Sequence, residues 1–174
     1  PSPNMPTWET SLLYPGMVML EGTNISEGRG TSLPFQLFGA PFLRQKELLA
    51  ALEGEEMAGV ALRPVTFEPI FDKWCGTLCY GFQIHITDPA RFQPYRLGLL
   101  ILKALCRIHP EAFQWLPPPY EYETEKLPID IIVGRGGLAQ QLESGPDIGD
   151  LESGWFEELE TYWEDCRRHL IYPE

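Results

Sequence analysis

Residues 81–108 read GFQIHITDPARFQPYRLGLLILKALCRI, and the two halves of that stretch follow different periods. From Gly81 to Thr87 the pattern alternates. Phe82, Ile84 and Ile86 point one way, and Gln83, His85 and Thr87 the other, which predicts a strand with one buried face. From Leu97 onward the apolar residues Leu97, Leu100, Ile101, Ala104, Leu105 and Ile108 recur at helical spacing, and His109-Pro110 ends the run. Between the halves, Asp88-Pro89 reads as an N-cap followed by proline at the first helical position. Strands mixed with helices in this way imply an α+β fold, a small mixed sheet packed against several helices with Pro/Gly-rich loops between them.

Working outward, Val60–Phe67 (VALRPVTF) predicts a strand that Pro64 moves to an edge or bulge. Phe35–Phe38 and the apolar run Met17–Leu20 have strand length. Gln45–Leu52 and Leu138–Leu142 have helical spacing. Thr7 is placed to cap a helix over Trp8–Leu13, which Pro15-Gly16 should stop. Asp150–Leu170 reads as one closing helix, its acids early and its Arg167, Arg168 and His169 late, as the macrodipole favours. Trp155 and Trp163 fall on its apolar face, a core position. Asp130 lies in the short apolar run Leu127–Val133 and reads as a buried hydrogen-bonded cap or a cleft residue, the structural reading being favoured.

The chain has 174 residues, the size of a single domain, and a formal net charge of −12. That charge repels phosphate backbones and anionic surfaces, and no Lys/Arg cluster offsets it, so nucleic acid is not an expected partner. No apolar run is long enough to span a membrane. The first residue is Pro1 rather than methionine, which predicts a fragment or the mature part of something longer. The spacing of Cys75, Cys79, Cys106 and Cys166 is not that of a dense disulfide framework. Cys75 and Cys79 with His85 are too few for a zinc site, so neither metal nor cofactor is expected.

The chemistry concentrates in a polar, glycine-rich loop, Glu21–Thr31 (EGTNISEGRGT). Glu21, Asn24, Glu27 and Arg29 lie within nine residues, and Gly22, Gly28 and Gly30 let the backbone turn sharply and approach a ligand closely. Two carboxylates, an amide and a guanidinium can bind a polyhydroxylated ligand or its carboxylate. The same residues can instead fold the loop on an internal Arg–Glu bridge. Gln83 and His85 could hydrogen-bond sugar groups, or pack at the sheet boundary. Tyr120, in the loop PPPYEYE at 117–123, could stack on a sugar ring or plug the core.

At the same loop the sequence resembles a known family. ETSLLYPGMVMLEGTNISEGRGT followed by PFQLFGAPF is similar to the C-terminal domain of the bacterial exo-β-N-acetylmuramidases, the NamZ/YbbC-like proteins. The likeness continues through Phe71, Lys73, Gly76, Cys79, Gly81, Gln83, His85, Thr87 and Asp88, through PPPYEYE, and through LPIDIIVG at 127–134. The resemblance implies that residues 1–174 are the C-terminal part of a two-domain glycoside hydrolase, and that its N-terminal Rossmann-like catalytic domain is absent here. It implies a peptidoglycan substrate from whose non-reducing end N-acetylmuramic acid is released, and an extracytoplasmic location. The main catalytic carboxylates would belong to the missing domain, with assistance at most from Glu21 and Glu27, and the isolated chain would be inactive. Expected partners are that N-terminal domain and an N-acetylmuramic acid-containing glycan. Substrate-binding candidates are Glu21, Asn24, Glu27, Arg29, Gln83, His85 and Tyr120. The alternatives are a non-catalytic glycan- or protein-binding module, and another hydrolase on the same two-domain scaffold.

Overall fold

The alternating stretch forms the middle of the sheet. A computed structural model describes residues 2–145 and 147–172. In it β3 (Cys79–Ile86) lies between β1 (Leu37–Ala40) and β2 (Val60–Phe67), in the order β1-β3-β2. Both pairings are antiparallel, with Leu37 opposite Gln83 and Arg63 opposite Gln83 on the other side. The fold is α+β, and its sheet is antiparallel throughout rather than mixed. β2 is an edge strand, so Pro64 removes no ladder hydrogen bond that a central strand would need. Phe82 and Ile84 are buried as the alternation predicts, and His85 is exposed.

Among the described residues, seven α-helices surround this sheet: α1 (Trp8–Met17), α2 (Gln45–Leu52), α3 (Pro94–Ile108), α4 (Pro128–Val133), α5 (Leu138–Ser144), α6 (Ile148–Ser153) and α7 (Phe156–Arg167). α3 is the central one. It buries Leu97, Leu99, Leu100, Ile101, Leu102 and Leu105 against α1, α2 and α5. Its start differs from the sequence expectation. Asp88 accepts from the Ala90 amide at 3.1 Å and closes a turn, while the helix begins at Pro94, where a second proline occupies the first turn.

The N-terminal region differs too. Thr7 caps α1, accepting from the Thr10 amide at 3.3 Å. The helix then runs through Pro15-Gly16 and tightens into a 3-10 helix over Val18–Gly22, where a strand over Met17–Leu20 was expected. The reason is tertiary. A Cβ on Gly16 would stand 1.9 Å from the Pro94 carbonyl oxygen, and one on Gly98 would stand 2.6 Å from that of Gly16. The pair therefore serves a close crossing of α1 on α3, and that contact overrides the local stop signal.

At the other end, one expected helix is two. Gly154 and Trp155 separate α6 from α7, and Trp155 packs edge-on against Tyr95 at 5.8 Å, with the Arg135 guanidinium over its ring. No residue of α7 is buried, and Trp163 is 47% exposed, so the expectation that Trp163 lies in the core is corrected. Asp130 is on α4, where it accepts from the Gly137 amide at 3.1 Å, a structural role. The Cys75 thiol is exposed, and those of Cys79 and Cys106 are buried; burial pushes the latter two up to about 11 and about 12. Among the described residues no helix is long and apolar enough to cross a membrane.

Candidate functional site

The polar loop leaves the 3-10 helix at Gly22 and is pinned to its surroundings at three places. The Asn24 amide bonds the Gln114 carbonyl at 3.0 Å, Ser26 exchanges backbone bonds with Gly39 of β1, and the Ile70 amide reaches the Gly30 carbonyl at 2.9 Å. Gly30 has φ +78°, and a Cβ there would lie 2.4 Å from the Phe71 carbonyl oxygen. Only glycine allows that approach, so the loop and the segment after β2 meet backbone to backbone.

Inside this frame four candidates and two further residues converge. Arg29 Nη2 donates to Glu21 Oε1, and Arg29 Nε lies 3.1 Å from Glu27 Oε1. That Nε is buried and off the line of a hydrogen bond, so its contact with Glu27 is ionic. Glu27 is 2% exposed, and its other oxygen accepts from Lys73 Nζ at 2.9 Å. Glu21 Oε2 accepts from the Tyr120 hydroxyl at 2.9 Å. The Arg29 guanidinium lies over the Phe35 ring, 5.3 Å from its centroid. The chain of contacts runs Lys73, Glu27, Arg29, Glu21, Tyr120. Its ionic part holds two cations and two anions, and Arg29, at 28% exposure, is its most accessible charge.

The electrostatics follow from that order. Burial works against the Arg29 charge and is the largest single influence on it, but the hydrogen bond to Glu21 and the charges of Glu21, Glu27 and Asp72 outweigh it and raise its pKa. Burial, then the bond to Glu21 and that carboxylate's charge, raise Tyr120 far above an ordinary phenol. Tyr120 is therefore a hydrogen-bond donor at neutral pH.

The backbone around the cluster is unusual. Among the described residues, four non-glycine residues have left-handed φ: Phe35 (62°), Asp72 (66°), Trp74 (60°) and Glu121 (52°). Each adjoins the cluster. Phe35 underlies Arg29, Asp72 and Trp74 flank Lys73, and Glu121 follows Tyr120. Such residues cost about 1–3 kcal/mol each and concentrate where a constellation must be held in place.

The other candidates lie outside this group. The Asn24 side chain donates to the Ala112 carbonyl at 2.8 Å and accepts from the Gln114 amide at 3.0 Å, which fastens the loop to the segment before Trp115. Gln83 and His85 both bond Arg63 across the β2–β3 ladder, His85 Nε2 at 3.4 Å. A groove of about 730 Å³ between α3, α4 and α7 is lined by Tyr95, Arg96, Arg135, Trp155, Leu159 and Tyr162 and by none of the candidates. Among the described residues no three His, Cys, Asp or Glu side chains gather as a metal site would require.

Lys73 was missed as a site residue. The available signal was that it is the only Lys or Arg between Arg63 and Arg91, in a stretch that has no other cation to balance Glu68 and Asp72.

Comparison with known proteins bears on this arrangement. Residues 12–172 match the family model described as exo-beta-N-acetylmuramidase NamZ, C-terminal. The chain is 37% identical over 172 residues to the peptidoglycan beta-N-acetylmuramidase NamZ of Bacillus subtilis (strain 168), covering 99% of this chain and 40% of that protein. The chain thus spans well under half the length of that relative. Two crystal structures of DUF1343 family proteins from Bacteroides fragilis NCTC 9343 share the fold. BF0371 has a TM-score of 0.81 at 18% identity, over 99% of this chain and 44% of that one. BF0379 has a TM-score of 0.65 at 20% identity, over all of this chain and 44% of that one. With the family model and the Bacillus relative both spanning nearly its whole length, the chain belongs to the family of NamZ exo-beta-N-acetylmuramidase C-terminal domains.

Proposed function

We propose that this domain forms one wall of the substrate cleft of a peptidoglycan-degrading glycoside hydrolase, which releases N-acetylmuramic acid from the non-reducing end of glycan fragments. The other wall and the principal carboxylates lie in a preceding domain of the same protein. The observation that carries the reading is the partly exposed Arg29 guanidinium, paired with two carboxylates, with left-handed non-glycine backbone bordering its neighbours. Muramic acid carries a lactyl carboxylate, and a preorganised guanidinium is a group suited to pair with it.

The cluster has its own division of labour. Glu21 and Glu27 already hold Arg29, so they orient it and do not act as the acid–nucleophile pair that glycoside hydrolysis needs. Tyr120 holds Glu21 from the far side. Asn24 fixes the loop that carries all three. A ligand carboxylate arriving at Arg29 gains a charge-assisted hydrogen bond, and Asp72, a third carboxylate near that guanidinium, discourages anions that do not pair with it directly.

The test is kinetic. The full-length parent, assayed on a chromogenic N-acetylmuramic acid glycoside, is expected to lose about 10–100-fold in kcat/KM on Arg29→Ala, the worth of one hydrogen bond between charged groups. Glu27→Gln should weaken it less, because it loosens Arg29 without removing it. Unchanged kinetics in both variants would take the loop out of the mechanism. The domain alone is expected to show no turnover.

A further inference from the structure

We propose that Lys73 is the positioning residue of this site: it fixes buried Glu27, and through it Arg29, so that the guanidinium meets an anionic ligand in one place and one orientation. The proposal rests on the reading of Arg29 as the group that receives the ligand carboxylate.

Lys73 comes from the segment between β2 and β3, far in sequence from the polar loop. Its ammonium has three protons and three acceptors: the Leu20 carbonyl at 2.8 Å, the Ile25 carbonyl at 3.1 Å and Glu27 Oε2 at 2.9 Å. All three lie on the 3-10 helix or the loop that follows it. Fully bonded, Lys73 has no proton left with which to bind a ligand itself. What it does is tie both ends of residues 20–27 to one point.

The backbone is bent to deliver it. Asp72 and Trp74, on either side, have φ 66° and 60°, and the Trp74 indole donates to the Asn24 carbonyl at 2.6 Å. The segment is therefore clamped to the same loop beside Lys73. Glu27 has a cation on each oxygen, Lys73 on one and Arg29 on the other. With Lys73 removed, the buried carboxylate keeps a single counter-charge. It is then free to rotate toward Arg29 and draw it inward. In the native arrangement Nη2 is held by Glu21, the ring of Phe35 supports one face, and Nη1 makes no hydrogen bond among the described residues. The position of that outer edge depends on the position of Glu27, and the position of Glu27 on Lys73.

The experiment uses the full-length parent and two chromogenic substrates, an N-acetylmuramic acid glycoside and its lactyl methyl ester, and reads the ratio of their kcat/KM values. Arg29→Ala is expected to lower the acid-to-ester ratio about 10–100-fold. Lys73→Met is expected to lower it about tenfold, through KM for the acid, a change that general loosening of the domain would not produce because it affects both substrates alike. Should Lys73→Met fail to fold, the pair Lys73→Met/Glu27→Gln removes both charges together. Its ratio should equal that of Glu27→Gln alone, because Lys73 acts through Glu27. An unchanged ratio in Lys73→Met, with Arg29→Ala still lowering it, would overturn the positioning role and leave the Arg29 reading intact. A double variant whose ratio falls about tenfold below that of Glu27→Gln alone would also overturn it. An unchanged ratio in Arg29→Ala would overturn the underlying reading, and this proposal with it.

Discussion

At the scale of single residues, the account turns on how buried charge is balanced. Glu27 is nearly inaccessible, so removing one of its two cations leaves it under-compensated; Lys73→Met should cost about 3 kcal/mol in urea unfolding, the low end for a broken buried pair because Arg29 remains. The double variant Lys73→Met/Glu27→Gln should cost less than the sum of its parts. A different buried group sets a pH effect. His109 is 4% exposed, and burial, with Arg44 beside it, lowers its pKa below the usual 6.5. The unfolded chain then takes up a proton at a higher pH than the folded one. Stability is therefore complete above about pH 7 and falls as the pH drops through the ordinary histidine value toward the lowered one. His109→Gln should flatten the thermal-melting profile between about pH 7 and 5; a profile with the same slope in both proteins would contradict this. The pairing of Arg29 with Glu21 and Glu27 was legible in the sequence as one of two readings, an internal Arg–Glu bridge, because the three lie within nine residues of one another. Lys73 was not, because its isolation among neighbouring acids marks a lone cation but does not say that its partners lie some fifty residues upstream.

At the scale of elements, glycines separate two kinds of contact. Gly98 faces the backbone of Gly16 at the α1–α3 crossing, so Gly98→Ala must push the helices apart and should destabilise by more than about 2 kcal/mol. Gly154 lies in ordinary right-handed backbone, its nearest neighbour for a Cβ being 3.5 Å away. Gly154→Ala should stabilise by about 0.4–1 kcal/mol, because it restricts the unfolded chain without strain. Chemical denaturation of the two variants should move in opposite directions. The strands and α3 were legible because each combines a clear period with length. The expected strand over Met17–Leu20 failed because Pro15-Gly16 was read as local punctuation. Its actual role, letting α1 lie on α3, is set by a residue more than eighty positions away. The closing helix failed at Gly154 because the apolar period runs across the break between Ser153 and Phe156 without marking it.

At the scale of the whole molecule, the acidic chain places its best-built polar constellation where the polar loop, the segment after β2 and the tyrosine loop meet, and leaves the amphipathic α7 uncovered. An apolar stripe of Trp163 and its neighbours looks like core in the sequence, and sequence periodicity cannot say whether another element covers it. Because Trp163 is half exposed, Trp163→Ser should change stability by less than about 1 kcal/mol, whereas Leu99→Ala, in the centre of α3, should cost about 2–5 kcal/mol. Equal losses would mean that α7 packs on the body in solution. The α+β class was legible at this scale from one strand–helix junction, and so, through the loop motif, was the family. The five-residue chain from Lys73 to Tyr120 was not, because it is assembled from three distant segments. The most direct measurement is a crystal structure of this domain soaked with N-acetylmuramic acid. The account predicts the lactyl carboxylate within about 3 Å of the Arg29 guanidinium, with Glu27 still on Lys73. A sugar bound elsewhere, with no ligand carboxylate at Arg29, would contradict it.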